Sequence, residues 1–135
     1  MPGAMRALAL GIASVLALGL GGCGKDKEAL PSAESPDWAE RQGFAGNKQA
    51  ERGAEIFAQA GCLSCHTYLD NGASNLGAPD LTEIGKQSPR SVEGYANYVS
   101  DPSRFGNTVM PKFAGMSRRN LLAIGAFLQA SKGVR

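Results

Sequence analysis

Two cysteines and the only histidine of this 135-residue chain lie in one short stretch, CLSCH, from Cys62 to His66. Thiol sulfur and imidazole nitrogen can ligate a metal ion, exchange disulfides or attach a cofactor, so this stretch is the main candidate for chemistry. The third cysteine, Cys23, follows an apolar N-terminal segment and needs a separate explanation.

The spacing Cys-x-x-Cys-His predicts covalent attachment of one haem c. In this pattern Cys62 and Cys65 form thioethers with the haem vinyl groups, and His66 is held against the iron as an axial ligand. A structural zinc site needs four ligands, and only three remain once Cys23 has another role. A thioredoxin-like redox pair expects a βαβ setting, and a plain disulfide in an exported protein is the third alternative.

A methionine is the natural candidate for the second axial ligand, because His66 is the only histidine. Met110 and Met116 are the only methionines outside the N-terminal segment. Met110 lies in TVMPKF before Pro111, whose ring restricts the backbone, and we predict that it ligates the iron. Met116 directly precedes a helix cap and is expected to pack as an apolar residue.

The N-terminal segment predicts export and lipidation. Sixteen uncharged residues follow Arg6, too few and too rich in glycine to span a bilayer comfortably, and they indicate a signal-peptide core. The segment ends in LGGC, which resembles a bacterial lipobox. We therefore predict a signal peptide over residues 1–22 and an acylated Cys23. The protein would be anchored by lipid to the outer face of the cytoplasmic membrane or would face the periplasm.

Residues 24–47 are rich in charged residues, Ala, Ser and Pro and show no sustained apolar period. Together with the lipidated Cys23 they predict a flexible tether over residues 23–47, followed by a folded domain over residues 48–135. Trp38 and Phe44 are exceptions within this segment and are expected to fold back onto the surface of the domain.

Beyond Asn47 the apolar residues recur at helical spacing, which predicts an all-α domain. Helices are expected from about Lys48 to Gln59, from about Ser91 to Ser100, and after the cap Ser117. The intervening loops, residues 67–89 and 102–115, are long for a compact domain. Something other than backbone pairing must therefore organise them.

From about residue 46 onward the chain resembles a class I cytochrome c. The resemblance rests on CLSCH after a first helix, GAPDL, VMPKF with Met110, and a last helix. It implies an all-α fold of three or more helices around one covalently bound haem. It also implies that the Pro79 carbonyl accepts a hydrogen bond from the imidazole N–H. Gly53 would let the first and last helices cross closely, and Phe57 and Phe127 would form an aromatic clamp at that crossing. Trp38 lies in the predicted tether, so no haem propionate ligand is predicted.

Iron with one nitrogen and one thioether ligand has both axial positions filled, which favours one-electron transfer over substrate binding. We predict a membrane-tethered electron carrier, not an enzyme, between a quinol-oxidising complex and a terminal oxidase or similar acceptor. A fixed haem subunit of a larger complex and a gas sensor in which Met110 is displaced are the alternatives. No nucleic-acid surface, phosphate loop or small-molecule substrate site is indicated.

The charged residues are unevenly distributed along the chain. All twelve Asp and Glu residues lie between Asp26 and Asp101. After Asp101 all the charged side chains are cationic. Four of these cations bracket the Met110 loop: Arg104, Lys112, Arg118 and Arg119. This distribution predicts a basic patch that steers an acidic partner, with electron exchange slowing as salt rises.

Overall fold

The computed structural model describes residues 37–134, which fold mainly into helices. The helices are α1 Trp38–Gln42, α2 Lys48–Gln59, α3 Ile84–Gln87, α4 Val92–Ser100 and α5 Arg118–Ala130, with 3₁₀ turns at Cys62–Ser64 and Pro102–Phe105. Strands β1 Thr67–Tyr68 and β2 Asn71–Gly72 form an antiparallel hairpin. The predicted signal peptide, the predicted lipidation site Cys23 and tether residues 24–36 lie outside the described residues.

The three predicted helices are confirmed, and local side chains explain where they begin. Asn47, Ser91 and Ser117 each accept a hydrogen bond from the backbone N–H three residues later, which satisfies one of the free donors of the first turn. Helix α2 is followed by Gly61 in the left-handed conformation, at φ 81°. Helix α4 stops before Pro102, as the proline predicts.

Helices α2 and α5 cross at a very short distance, and Gly53 makes this possible. A Cβ atom on Gly53 would lie 2.0 Å from the carbonyl oxygen of Ala123 and 2.7 Å from Cβ of Phe127. The rings of Phe57 and Phe127 pack beside the crossing, with their centroids 5.1 Å apart. The close crossing and the aromatic clamp implied by the family resemblance are therefore both present.

Three residues that the sequence placed in the tether are instead buried in the domain: Trp38, Gln42 and Phe44. Trp38 is 1% exposed and Phe44 is 5% exposed. The prediction that they lie on the surface of the domain is therefore wrong. The Trp38 ring lies between 4.7 and 6.1 Å from the rings of three other buried aromatic residues, Phe57, Tyr68 and Phe127. Burial of such a large ring stabilises the folded domain. The charged residues around Trp38 in the sequence give no sign of this burial.

Gln42 fixes α1 to distant parts of the chain. Its Nε2 donates to the carbonyl oxygen of Thr82 at 2.9 Å, and its Oε1 accepts from the N–H groups of Lys132 and Gly133 at 3.0 and 2.8 Å. These partners lie 40 to 91 residues away in sequence. Their contribution to the fold is therefore invisible to local sequence patterns.

The first long loop contains more regular structure than predicted. Its hairpin turns at Leu69 and Asp70, both with positive φ, which is the conformation that suits a two-residue hairpin loop. Helix α3 lies near its end, and Gly85 allows α3 to approach the backbone of α5 closely. Within residues 37–134, the helices are all too short or too polar to cross a membrane.

Candidate functional site

The CLSCH segment begins directly after α2, where Gly61 reverses the chain direction. The 3₁₀ turn that follows is held by hydrogen bonds from the N–H groups of Cys65 and His66 to the carbonyl oxygen of Cys62, at 3.2 and 2.9 Å. Both thiols and the imidazole are thereby placed on one rigid turn.

The His66 ring is oriented by a backbone carbonyl. Its Nδ1 lies 2.8 Å from the carbonyl oxygen of Pro79, and because a carbonyl can only accept, Nδ1 must carry the proton. This tautomer leaves the lone pair of Nε2 free to bind a metal. The contact is the one that the family resemblance assigns to Pro79.

Hydrogen bonds to the Asp80 carboxylate also join the segment that carries His66 to the segment that carries Pro79. Thr67 Oγ1 donates to Asp80 Oδ2 at 2.5 Å, and the N–H of Thr82 donates to Asp80 Oδ1 at 2.8 Å. Burial tends to raise the pKa of Asp80, but these hydrogen bonds outweigh it and hold the pKa below its ordinary value. The backbone that presents the Pro79 carbonyl is thus fixed beside the imidazole.

All five residues predicted to hold the cofactor line one cavity of about 310 Å³, namely Cys62, Cys65, His66, Pro79 and Met110. The other lining residues are Gly61, Ser64, Asn75, Leu76, Gly77, Ala78, Asn107, Val109, Pro111 and Phe113. None of these side chains is an acid, a lysine or an arginine. An imidazole and a thioether therefore share a largely apolar space, which is suited to a haem.

A second cavity of about 310 Å³ shares four residues with this first cavity: His66, Pro79, Asn107 and Met110. Its remaining walls are partly polar and include Arg90 and the tyrosines of α4, Tyr95 and Tyr98. Neither cysteine lines it. Together the two cavities form a crevice with mostly apolar walls, which carries Arg90 at the end away from the thiols.

The loop that carries Met110 is organised by Asn107. Its Oδ1 accepts from the N–H groups of Val109 at 3.0 Å and Met110 at 3.1 Å. Its Nδ2 donates to the hydroxyl of Tyr98 at 2.9 Å, which ties the loop to α4. Met116 is partly buried and packs against the core, as predicted.

A family model described as cytochrome c matches residues 50–132, more than half of the chain. The chain belongs to the cytochrome c family. Searches among curated proteins and among solved structures found no significant match. The family implies covalently bound haem c and a role in haem-based electron transfer, and the mostly helical structure agrees with the class I fold.

The Cys62 thiol of this c-type cytochrome differs from the reactive thiol of a redox-active pair. Burial raises the pKa of the Cys62 thiol to about 11, whereas catalytic Cys-x-x-Cys pairs have a lowered pKa. Cys62 and Cys65 are also not joined in a disulfide. Their position beside His66 fits thioether attachment to a haem, as the sequence predicts.

Asn107 and Arg90 are site residues that the sequence alone did not reveal. Asparagine is common where a side chain must bind the backbone two or three residues later, so the spacing of Asn107 before Met110 is the available signal. Arg90 had no such signal, because its position beside the crevice depends on how α4 packs.

Proposed function

We propose that this chain is a monohaem cytochrome c with His66 and Met110 as axial ligands, which carries single electrons outside the cytoplasmic membrane. One observation carries the proposal. The imidazole of His66, with Nδ1 bound to the Pro79 carbonyl and Nε2 free, lines the same uncharged cavity as the Met110 side chain. A bound haem would supply a one-electron iron couple.

Each residue of the crevice has a distinct part in this proposal. Cys62 and Cys65 hold the cofactor covalently, and His66 and Met110 close both axial positions. The end of the crevice that carries Arg90 suits the two carboxylates that every haem carries. Arg90 forms no salt bridge within residues 37–134, so its guanidinium is a suitable partner for a propionate.

The proposal extends to the membrane and to partners. The apolar N-terminal run and Cys23 support a lipid anchor, which would confine the domain to a layer above the membrane surface. A quinol-oxidising complex as donor and a terminal oxidase or similar acceptor are the partner classes that suit a one-electron carrier in that position.

One measurement tests the haem assignment, and a second tests the lipid anchor. After acid denaturation and extraction with organic solvent, the haem should stay with the polypeptide at one haem per chain. Release of the haem, or a different ratio, would contradict attachment at Cys62 and Cys65. In mass spectra of protein extracted from membranes, the chain should begin with an acylated Cys23, and an unmodified cysteine would exclude the lipid anchor.

Carbon monoxide distinguishes a carrier from a gas sensor. The reduced protein at neutral pH should bind carbon monoxide slowly and incompletely, because Met110 must first leave the iron. Prompt and complete binding would instead assign the chain to the sensors.

A further inference from the structure

The carbonyl group that orients the His66 ring lies on an exposed part of the chain. None of residues 73–80 is buried, and Leu81 is the next residue that is. Pro79 itself is exposed, so water can compete with its carbonyl oxygen for the imidazole N–H. Apolar packing within the chain therefore holds this carbonyl only weakly, and hydrogen bonds must fix it.

Asp80, the residue after this carbonyl, is held on two sides. Its Oδ2 accepts from the hydroxyl of Thr67, which directly follows His66, and its Oδ1 accepts from the N–H of Thr82. Thr82 is fixed in turn, because its Oγ1 accepts from the N–H of Leu69 at 2.9 Å. The Asp80 carboxylate thus connects the segment of the imidazole to a fixed point of the hairpin.

Asp80 also carries a charge that no cation pairs with. It forms no salt bridge within residues 37–134, whereas Asp101 pairs with Lys112 at 3.2 Å. Hydrogen bonds to an ionised acceptor are roughly twice as strong as those between neutral groups. The carboxylate therefore fixes the peptide group after Pro79 more firmly than a neutral side chain would.

We propose that Asp80 is a positioning residue for the axial imidazole of His66. By holding the Pro79 carbonyl in place, it keeps the hydrogen bond from Nδ1 closed and so sets how strongly Nε2 donates to iron. An imidazole that donates a well-placed hydrogen bond is a more basic ligand, which favours oxidised iron. This inference rests on the proposed haem ligation, and it concerns the strength of the His66 ligand.

The test uses the mature haem-loaded protein, purified without a histidine tag and labelled with ¹⁵N-histidine. Because His66 is the only histidine, the reduced protein should give a single ring N–H signal in its NMR spectrum. The rate at which this proton exchanges with solvent measures how often the hydrogen bond to Pro79 opens. Redox titration of the same samples measures the reduction potential.

Thr67→Val removes the donor to Asp80 but keeps every charge and nearly the same side-chain volume. Proton exchange should become about tenfold faster, because one hydrogen bond to a charged group is lost. The reduction potential should rise although no charge has changed, because the imidazole becomes a weaker ligand for oxidised iron.

Two substitutions of Asp80 separate its contacts from its charge. Asparagine can still accept from Thr82 with Oδ1 and donate to Thr67 from Nδ2, so exchange in Asp80→Asn should be within about threefold of the wild type. Asp80→Ala keeps neither contact and should exchange faster than Thr67→Val. Exchange in Asp80→Asn as fast as in Asp80→Ala would contradict the positioning role, since an asparagine that keeps both contacts should rescue it.

Ser103→Ala provides a matched control. Ser103 also donates its hydroxyl to a carboxylate, that of Asp101, but this hydrogen bond joins residues only two apart in the chain. Its loss should change neither the exchange rate of the His66 proton nor the potential. Equal exchange rates in the wild type, Thr67→Val and Asp80→Ala would overturn the role of Asp80 while haem ligation stands. A wild-type protein without covalent haem would overturn both.

Discussion

In the proposed haem site, Asn107 is expected to control how often Met110 leaves the iron. Its Oδ1 accepts hydrogen bonds from the N–H groups of Val109 and Met110, and its Nδ2 reaches Tyr98. Asn107→Ala removes all three contacts without altering either axial ligand. The substitution therefore tests whether the loop is held by this side chain or by the axial bond alone.

The size of the effect follows from these hydrogen bonds. A neutral hydrogen bond contributes about 0.5–1.5 kcal/mol net, so the two bonds to the loop backbone stabilise its closed form by roughly 2 kcal/mol. In the open loop water replaces them, so their loss destabilises mainly the closed form. Because about 1.4 kcal/mol is a factor of ten, the open population should rise about 10- to 100-fold.

Stopped-flow mixing of the reduced protein with carbon monoxide measures this population, because the ligand enters only when Met110 is displaced. The binding rate of Asn107→Ala should rise by the same 10- to 100-fold. Asn107→Asp keeps the side-chain acceptor and should stay within about threefold of the wild type. A rate for Asn107→Ala within threefold of the wild type, with unchanged helix content, would refute the role of this side chain.

Two further substitutions test the helix crossing and the axial ligand. Gly53→Ala should lower the free energy of unfolding, measured with denaturant, by about 1–3 kcal/mol, because its Cβ would overlap the Ala123 carbonyl oxygen. Gly94→Ala is the control. Its Cβ would have no contact under 3.3 Å, so the free energy of unfolding should change by less than about 1 kcal/mol. Equal effects would contradict the close crossing. Met110→Ala should open the iron to carbon monoxide and lower the reduction potential. Met116→Leu should change neither the binding of carbon monoxide nor the potential. The reverse result would identify Met116 as the axial ligand in place of Met110.

The helices that were predicted correctly are those whose signals are local. Asn47, Ser91 and Ser117 are good caps directly before segments with helical apolar spacing, so the start of each helix is encoded within a few residues. Helix α1 was missed because its stability comes from Trp38 and Gln42, whose partners are distant in sequence. Its local composition resembles that of a solvated tether.

The same distinction applies to the site. CLSCH can be recognised because the two thiols and the imidazole must be close in sequence to sit on one turn. The hydrogen bonds of Asn107 depend on the conformation of the loop that follows α4. Arg90 lies beside the crevice only because of how α4 packs. Contacts between loops are set by long-range packing, which apolar periodicity does not encode.

The uncharged lining of the first cavity bears on the redox chemistry of the proposed haem site. Oxidised iron carries one more positive charge than reduced iron, and a wall without carboxylates does not stabilise that charge. In the proposed site the thioether of Met110 would act in the same direction. A carboxylate at position 76 or 109 is therefore expected to stabilise the oxidised state of the proposed haem and to lower its reduction potential. Redox titration of Leu76→Asp and Val109→Asp would check this, and an unchanged potential in both proteins would contradict the role given to the uncharged lining.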